Sequence, residues 1–405
     1  MNYSKTLTKL IALSLITSSA LHATNGDHLI AVGAKARGMG GTSIGLSQGA
    51  ESGLSNPALI TSIDGTQIGF GGTVFMPTIE TQMSFPSNTA YTSTADLNMI
   101  PEVSIAHKIN DSWYVGIGMW GTAGMGVDYR DATFNPAVGQ MGNFNMVTNL
   151  QLMQFGVPIA YQTGGLSMAV TPILQYGNLD MQYSAVTPTG TAFQSGAGLA
   201  QDFAFGYNLG LAYNFSQQGI HGLTIGALYK SSIEMEYKGQ LATAIQNFGG
   251  VAKSGDKLEQ PAEIGVGFSY VTGQHTIAFD YKQIKWADTK GYGDFDWEDQ
   301  NVYALGYQYN QDNWALRVGY NYGKSPISEG ASVLNNTLNL LGFPANAEQH
   351  YTLGGSYKVS EAFSIDLAYV YAPEASDTFT KTQVRVPITT KHTENSVSFQ
   401  LVYSL

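Results

Sequence analysis

The ten residues from Ser396 to Leu405, SVSFQLVYSL, constrain this chain more than any other stretch. Val397, Phe399, Leu401, Tyr403 and Leu405 share one parity; Ser396, Ser398, Gln400, Val402 and Ser404 share the other. Successive side chains of a strand point to opposite faces, so this is a strand with one apolar face and one mostly polar face. The same alternation recurs along the chain behind an export leader. The combination predicts an outer-membrane β-barrel whose polar face lines a lumen.

The leader reads MNYSKTLTKLIALSLITSSALHA. Lys5 and Lys9 form its basic end, Leu10 to Ile16 its apolar stretch, and Ser18, Ala20 and Ala23 offer small residues for cleavage. We assign residues 1–23 as a secretory signal peptide, cut after Ala23, with Ala20 as the alternative. No later stretch approaches the roughly 18 apolar residues of a transmembrane helix. With 0 Cys, an exported chain has no disulfide framework, thiolate metal site or cysteine nucleophile. A net charge of −11 argues against nucleic acid as a partner. Charged residues make up 12%, well below the roughly 25% of soluble domains. The 47 Gly and 24 Tyr suit a sheet with a lipid face and aromatic girdles.

Residues 24–65 differ from the rest of the mature chain: they are dense in Gly, Ala and Ser and lack long alternating runs. Residues 66–405 alternate in fourteen segments, near 66–80, 96–109, 112–121, 147–162, 165–183, 199–215, 220–240, 257–272, 274–290, 295–310, 312–325, 346–359, 361–375 and 390–405. Tight turns at Asn110-Asp111, Thr163-Gly164, Gly273 and Gln311 alternate with long links. Short periplasmic turns and long outer loops are the asymmetry of outer-membrane barrels. An even strand count puts both barrel ends on the periplasmic side. Residues 24–65 are then free to fold into the lumen as a plug, which fourteen strands leave room for. By parity Leu316 and Val318 face lipid, while Arg317, Glu263, Asp280, Lys282, Lys358 and Asp366 face inward. A charge on the lipid face at mid-membrane depth costs about 2–4 kcal/mol, which fixes the choice of face.

Three stretches resemble the FadL family of outer-membrane transporters for hydrophobic compounds. One is Arg37-Gly38-Met39-Gly40-Gly41 leading to Asn56-Pro57-Ala58. Another is Pro261-Ala262-Glu263-Ile264-Gly265-Val266-Gly267, followed by Tyr281 and Trp286. The third runs from Val302-Tyr303-Ala304-Leu305-Gly306-Tyr307 through Trp314-Ala315-Leu316-Arg317-Val318-Gly319-Tyr320 to Ser325-Pro326-Ile327. Many such barrels end in Phe; this one ends in Leu405. The resemblance implies an all-β, hatch-plugged barrel of about 14 strands. Apolar outer loops then capture a ligand, such as a long-chain fatty acid or a hydrocarbon, and an inward kink in strand three releases it sideways.

Several residues are candidates for that work. Asn56, Pro57 and Ala58 are expected to form the hatch element that meets the strand-three kink. Pro57 fixes its own φ and biases Asn56 toward extended backbone, giving a defined corner. Gly116, Gly118 and Gly121 in strand three either permit the kink or give room for the plug. Gly116 to Gly121 also spells the dinucleotide fingerprint, but no helix follows to hold a phosphate. Met125, Phe134, Met141, Phe144 and Met146 in the link 122–146 make an unusually apolar outer loop. Leu340 and Phe343 in a second link are expected to form the opposing wall of a capture groove. The alternative is loops packing on neighbours and on lipopolysaccharide. Arg317, Lys282 and Lys358 are candidates to meet a ligand carboxylate. The run Asp294-Phe295-Asp296-Trp297-Glu298-Asp299 lacks the spacing of a calcium loop and reads as a solvated hairpin. No His-x-His or His-Glu-x-x-His set exists.

The sequence therefore predicts a monomeric barrel in the outer membrane of a Gram-negative bacterium, surrounded by lipid and lipopolysaccharide. It is expected to carry hydrophobic small molecules passively, with no cofactor, metal or enzymatic step. A porin for small hydrophilic solutes is the alternative; a barrel enzyme or an adhesin stands behind both.

Overall fold

A computed structural model describes residues 25–84, 88–132, 134–135, 140–186, 191–196 and 198–405. The assigned signal peptide, 1–23, lies outside the described residues.

The chain from Thr66 onward is a closed antiparallel barrel of 14 strands. In order they are β1 Thr66–Met83, β2 Asn98–Lys108, β3 Trp113–Asp128, β4 Val147–Gly156 with Ile159–Thr163, β5 Leu166–Val186, β6 Ala200–Asn214, β7 Leu223–Lys230, β8 Glu263–Thr272, β9 His275–Ile284, β10 Gln300–Asn310, β11 Trp314–Gly323, β12 Gln349–Ser360, β13 Phe363–Phe379 and β14 Ile388–Ser404. Short segments Ala90–Thr92 and Ala192–Ser195 precede β2 and β6. The sheet closes where β14 pairs with β1, from Gln67 opposite Ser404 to Met83 opposite Ile388. Closure leaves no free edge, which is the condition for spanning hydrocarbon with strands. Pro158 interrupts β4, because proline has no N–H to give the ladder.

The two faces follow the expected parity. On β11, Leu316 and Val318 are exposed while Ala315, Arg317 and Asn321 are buried. On β14, Val397, Phe399 and Leu401 are exposed and Ser396, Ser398 and Gln400 buried. Trp113 and Trp314 lie outward beside tight turns, the place of an interfacial girdle. Placing Arg at Val318, midway along the lipid face of β11, is expected to cost about 2–4 kcal/mol of folding free energy. Denaturant titration in lipid vesicles measures it; the inward-facing Ala315→Ser serves as control.

The strands differ in length, and here the sequence expectation needs correction. β7 ends at Lys230 rather than near 240, and β8 begins at Glu263 rather than near 257. The alternation of Ile233, Met235 and Tyr237 is real, but it belongs to an extended segment that turns over the lumen. All three are buried, and isolated bridges join Ile233 to Gln260 and Glu236 to Lys257. A period of two reports extended backbone with a buried side, not the barrel wall. β3 errs the other way, running to Asp128 instead of 121.

The outer part of the barrel holds one large apolar cluster. It joins Trp120, Met125 and Leu150 of the wall to Trp286 and Trp297 of the loop 285–299 and to a helix, Val333–Leu341. In the acidic hairpin, Phe295 and Trp297 are buried in this cluster and Lys285 holds Asp299 at 2.7 Å. The hairpin is thus half core and half surface.

Candidate transport site

Residues 25–65 run inside the barrel and are held by inward-facing side chains from many strands. The motif Arg37–Gly41 shows how. Gly38 and Gly40 lie against β12 and β11 so closely that a Cβ on Gly38 would stand 2.9 Å from Gly354 Cα, and one on Gly319 would stand 2.1 Å from Gly40 N. Only glycine on both sides permits that backbone approach. Thr352 donates to Gly38 O and accepts from Gly40 N, each at 3.0 Å, and Asn321 donates to Gly40 O at 3.0 Å. Asp280 of β9 accepts from the backbone N–H groups of Ser43, Ile44 and Gly45 at 2.6, 2.8 and 3.3 Å. Glu102 of β2 accepts from Gly33 N at 2.8 Å, and Arg37 donates to Ser396 of β14 at 2.6 Å. The polar inner face is therefore the partner of the segment's backbone, which has few regular hydrogen bonds of its own. Burial lifts the Glu51 carboxyl of this segment to about 7, against the pull of Lys35.

The Asn56 amide makes its hydrogen bonds away from strand three. Asn56 caps a short 3-10 turn, Pro57–Ser62, accepting from Ala58 N at 3.2 Å. Its amide donates to Ile44 O at 2.7 Å and to Leu211 O of β6 at 3.0 Å. A Cβ on Gly210 of β6 would fall 2.2 Å from Asn56 Oδ1 and 2.8 Å from Pro57 Cδ. The tripeptide is a corner seated on β6, three strands away from the expected place.

Strand three is bent. β2 and β3 pair from Lys108–Tyr114 to Glu102–Trp120, and the ladder stops there. Between Gly121 and Ala123 the register against β4 shifts by one residue, so Thr122 is a bulge. Beyond the bulge β4 is the wall strand that pairs with β3, and at Asp128 Ser93 and Thr94 join it. Next to the bulge the other edge of β3 is met from inside by Asp27–Leu29. Leu29 donates to Thr122 O at 3.2 Å, Gly124 donates to Asp27 O at 2.9 Å, and His28 bridges Ala123. Each of the three strand-three glycines lies against atoms of the barrel wall. A Cβ on Gly118 would overlap the Trp120 indole, one on Gly121 would reach Ile100 Cγ2 at 2.4 Å, and one on Gly116 would stand 2.5 Å from Ile105 O.

Asp27 and His28 were not singled out by the sequence. They are pinned from behind by Tyr292, which donates to Asp27, by Gln260 at 2.9 Å from Asp27, and by Trp286, its ring 5.2 Å from that of His28. Burial raises the Asp27 carboxyl above its ordinary range, while His28 and the hydrogen bonds from Tyr292 and Gln260 pull it back. No sequence signal marked them: the positive φ of Gly26 and its contact with Trp286 appear with the fold.

A cavity lies between this segment and the wall. Ile30, Val32, Leu54, Leu228 and Ile233 give it apolar sides, and Thr122 of the bulge is part of its lining. Lys230, Glu263 and Lys282 give it charge. Lys282 thus reaches a cavity, as expected from parity. Arg317 and Lys358 do not. Arg317 is buried beneath Gly38, donating to Gln308 and, at 2.6 Å, to Ser356. Lys358 is exposed near the β12–β13 turn, beyond the lumen. The expected capture residues Met125, Met146, Leu340 and Phe343 are not on an exposed groove; all are buried in the outer apolar cluster. Met125 is on the wall itself, because β3 runs past the bulge. Phe144 is half-buried, 5.5 Å from Phe248. The side chains of Phe134 and Met141 lie outside the described residues. His350 and His392, also buried, flank Glu394 at 3.4 and 3.2 Å.

A lipid-faced barrel whose inward side chains hold residues of its own N-terminal segment, with one bulged wall strand beside an internal cavity, is the architecture of an outer-membrane transport protein. The chain belongs to the family described as outer membrane protein transport protein (OMPP1/FadL/TodX), whose model matches residues 13–404. It is 23% identical to the 47 kDa outer membrane protein of Pasteurella multocida, covering 86% of each chain. It is 24% identical to the long-chain fatty acid transport protein of Escherichia coli O6:H1, over 69% of this chain and 60% of that one. The fold is shared with the toluene transporter TodX of Pseudomonas putida (TM-score 0.71, 19% identity, 93% and 99% of the two chains). It is shared also with the toluene transporter TbuX of Ralstonia pickettii (TM-score 0.64, 16% identity, 92% and 98%). The protein resides in the outer membrane of a Gram-negative cell.

Proposed function

We propose that this protein takes hydrophobic small molecules inward by diffusion and releases them sideways into the membrane at the β3 bulge. The observation that carries the reading is the end of the β2–β3 ladder at Glu102–Trp120, beside a cavity that reaches Thr122. A molecule that partitions into hydrocarbon gains about 0.8 kcal/mol for each methylene kept out of water, so a lateral path suits it better than an aqueous pore. The outer apolar cluster, rich in Met and aromatic side chains that repack around varied shapes, supports capture at that end. Residues 24–65 serve as the hatch: Asp27–Leu29 is the part at the opening, and Asn56-Pro57-Ala58 fixes the hatch to β6. The names of the relatives, a fatty acid transporter and toluene transporters, support a hydrophobic cargo. In this reading the protein works as a monomer among lipid and lipopolysaccharide, and transport requires no catalytic step. An apolar outer lumen argues against a porin for hydrophilic solutes.

Protein purified in a detergent foreign to the cell is expected to retain a fatty acid, fatty alcohol or hydrocarbon. Native mass spectrometry and gas chromatography of the extract identify it. An empty barrel that conducts ions steadily in a planar bilayer contradicts the reading.

A further inference from the structure

The cavity beside the hatch holds two lysines, and both are already taken. Lys230 Nζ of β7 lies 3.5 Å from Glu263 Oε1, and Lys282 Nζ of β9 lies 3.4 Å from Glu263 Oε2. His28 Nδ1 stands 3.1 Å from the same carboxylate. Glu263, at the start of β8, is buried, so its charge is held by these neighbours rather than by water. The other acid of the cavity, Asp280, is satisfied by three backbone N–H groups of the hatch. Lys230 and Lys282 therefore stand against two carboxylates, Glu263 and Asp280, in the lining. The remaining inward cations are also engaged. Lys35 lies 3.5 Å from Asp366, Arg37 donates to Ser396 beside Glu102 and Glu394, and Arg317 donates to Gln308 and Ser356.

We infer that Glu263 is a specificity-determining residue that closes this cavity to carboxylates, so that the cargo is an uncharged hydrophobic molecule. This rests on the transport reading above and names the class of cargo within it. A ligand carboxylate entering the cavity has to displace Glu263 from its lysines and then remain beside it, a like-charge contact in a site with little water. An alcohol or a hydrocarbon brings no charge, and the apolar sides of Val32, Ile44, Leu54, Leu228, Ile233 and Val302 suit its chain.

The test compares 1-dodecanol with dodecanoate, equal in chain length, by equilibrium dialysis of radiolabelled ligand against the intact protein in detergent at pH 8. The expected result is at least about tenfold tighter binding of dodecanol, a difference of about 1.4 kcal/mol. Glu263→Gln keeps the shape and removes the charge, freeing both lysines, and is expected to raise dodecanoate affinity at least about tenfold relative to dodecanol. Equal binding of the two ligands by the unaltered protein overturns the inference and leaves the transport reading intact. So does an unchanged ratio in a Glu263→Gln barrel that still migrates as a heat-modifiable band. The unaltered protein decides the matter alone if that variant does not assemble. Binding of neither ligand overturns the inference together with the reading beneath it.

Discussion

Removing Thr122 is expected to cut uptake of a hydrophobic molecule by about tenfold or more, equivalent to about 1.4 kcal/mol on the transport barrier. Gly121 faces Met153 and Ala123 faces Leu152, so Thr122 is the one residue in excess. Its deletion lets every later residue of β3 keep its partner on β4 and therefore its face. What changes is the bend. A bulge turns its strand and ends pairing on one side, and a straight β3 is free to continue the ladder with Asn98–Pro101 of β2, which now pairs with β1 alone. Ligand retention in detergent and heat-modifiable migration are expected to survive. Uptake by proteoliposomes, measured with a labelled hydrocarbon, reads the effect. A folded variant that transports at the original rate places the exit elsewhere in the barrel.

Leu in place of Gly319 is expected to unseat the segment around Met39 and Gly40 from the wall. The new Cβ would stand 2.1 Å from Gly40 N and 2.4 Å from Met39 C. Both are backbone atoms that cannot rotate away, so the segment has to lift. Overpacking of this kind costs about 1–3 kcal/mol, and each hydrogen bond lost around Gly40 adds about 0.5–1.5 kcal/mol. The bonds at stake are that from Asn321 to Gly40 O and that from Gly40 N to the Thr352 hydroxyl. Persistent ion conductance in a planar bilayer and faster tryptic cleavage at Arg37 are the expected readouts. Gly355→Ala is the control, because its Cβ meets nothing nearer than 3.6 Å. A silent bilayer with Gly319→Leu rejects the idea that paired glycines set the seat.

The family-like motifs acquire a physical content from this arrangement. Arg37–Gly41 and the Trp314–Tyr320 stretch lie far apart in the chain, yet their glycines are the two halves of one contact. Sequence could mark each glycine as a place of close backbone approach. It could not say what approaches.

The strand count and the two faces were legible because they rest on a period of two and on the cost of charge in lipid, both local properties. The Val397–Leu405 parity fixed β14 without reference to any other residue. Partners across the lumen are a different matter. Glu51 accepts from Gln400 and Arg37 donates to Ser396, residues more than 300 positions apart. Barrel closure and register put them side by side, and no local pattern encodes either. The same holds for the site. The sequence placed glycines and a bend in strand three, but tertiary structure seated Asn56-Pro57-Ala58 on β6 and brought Asp27–Leu29 to the bulge. It also drew Met125, Met146, Leu340 and Phe343 into a core, because apolar loops above a wide barrel bury more surface by folding inward than by facing water. Parity alone sent Lys282 inward; only the packed structure set Glu263 between it and Lys230, where a buried charge needs its counter-charge.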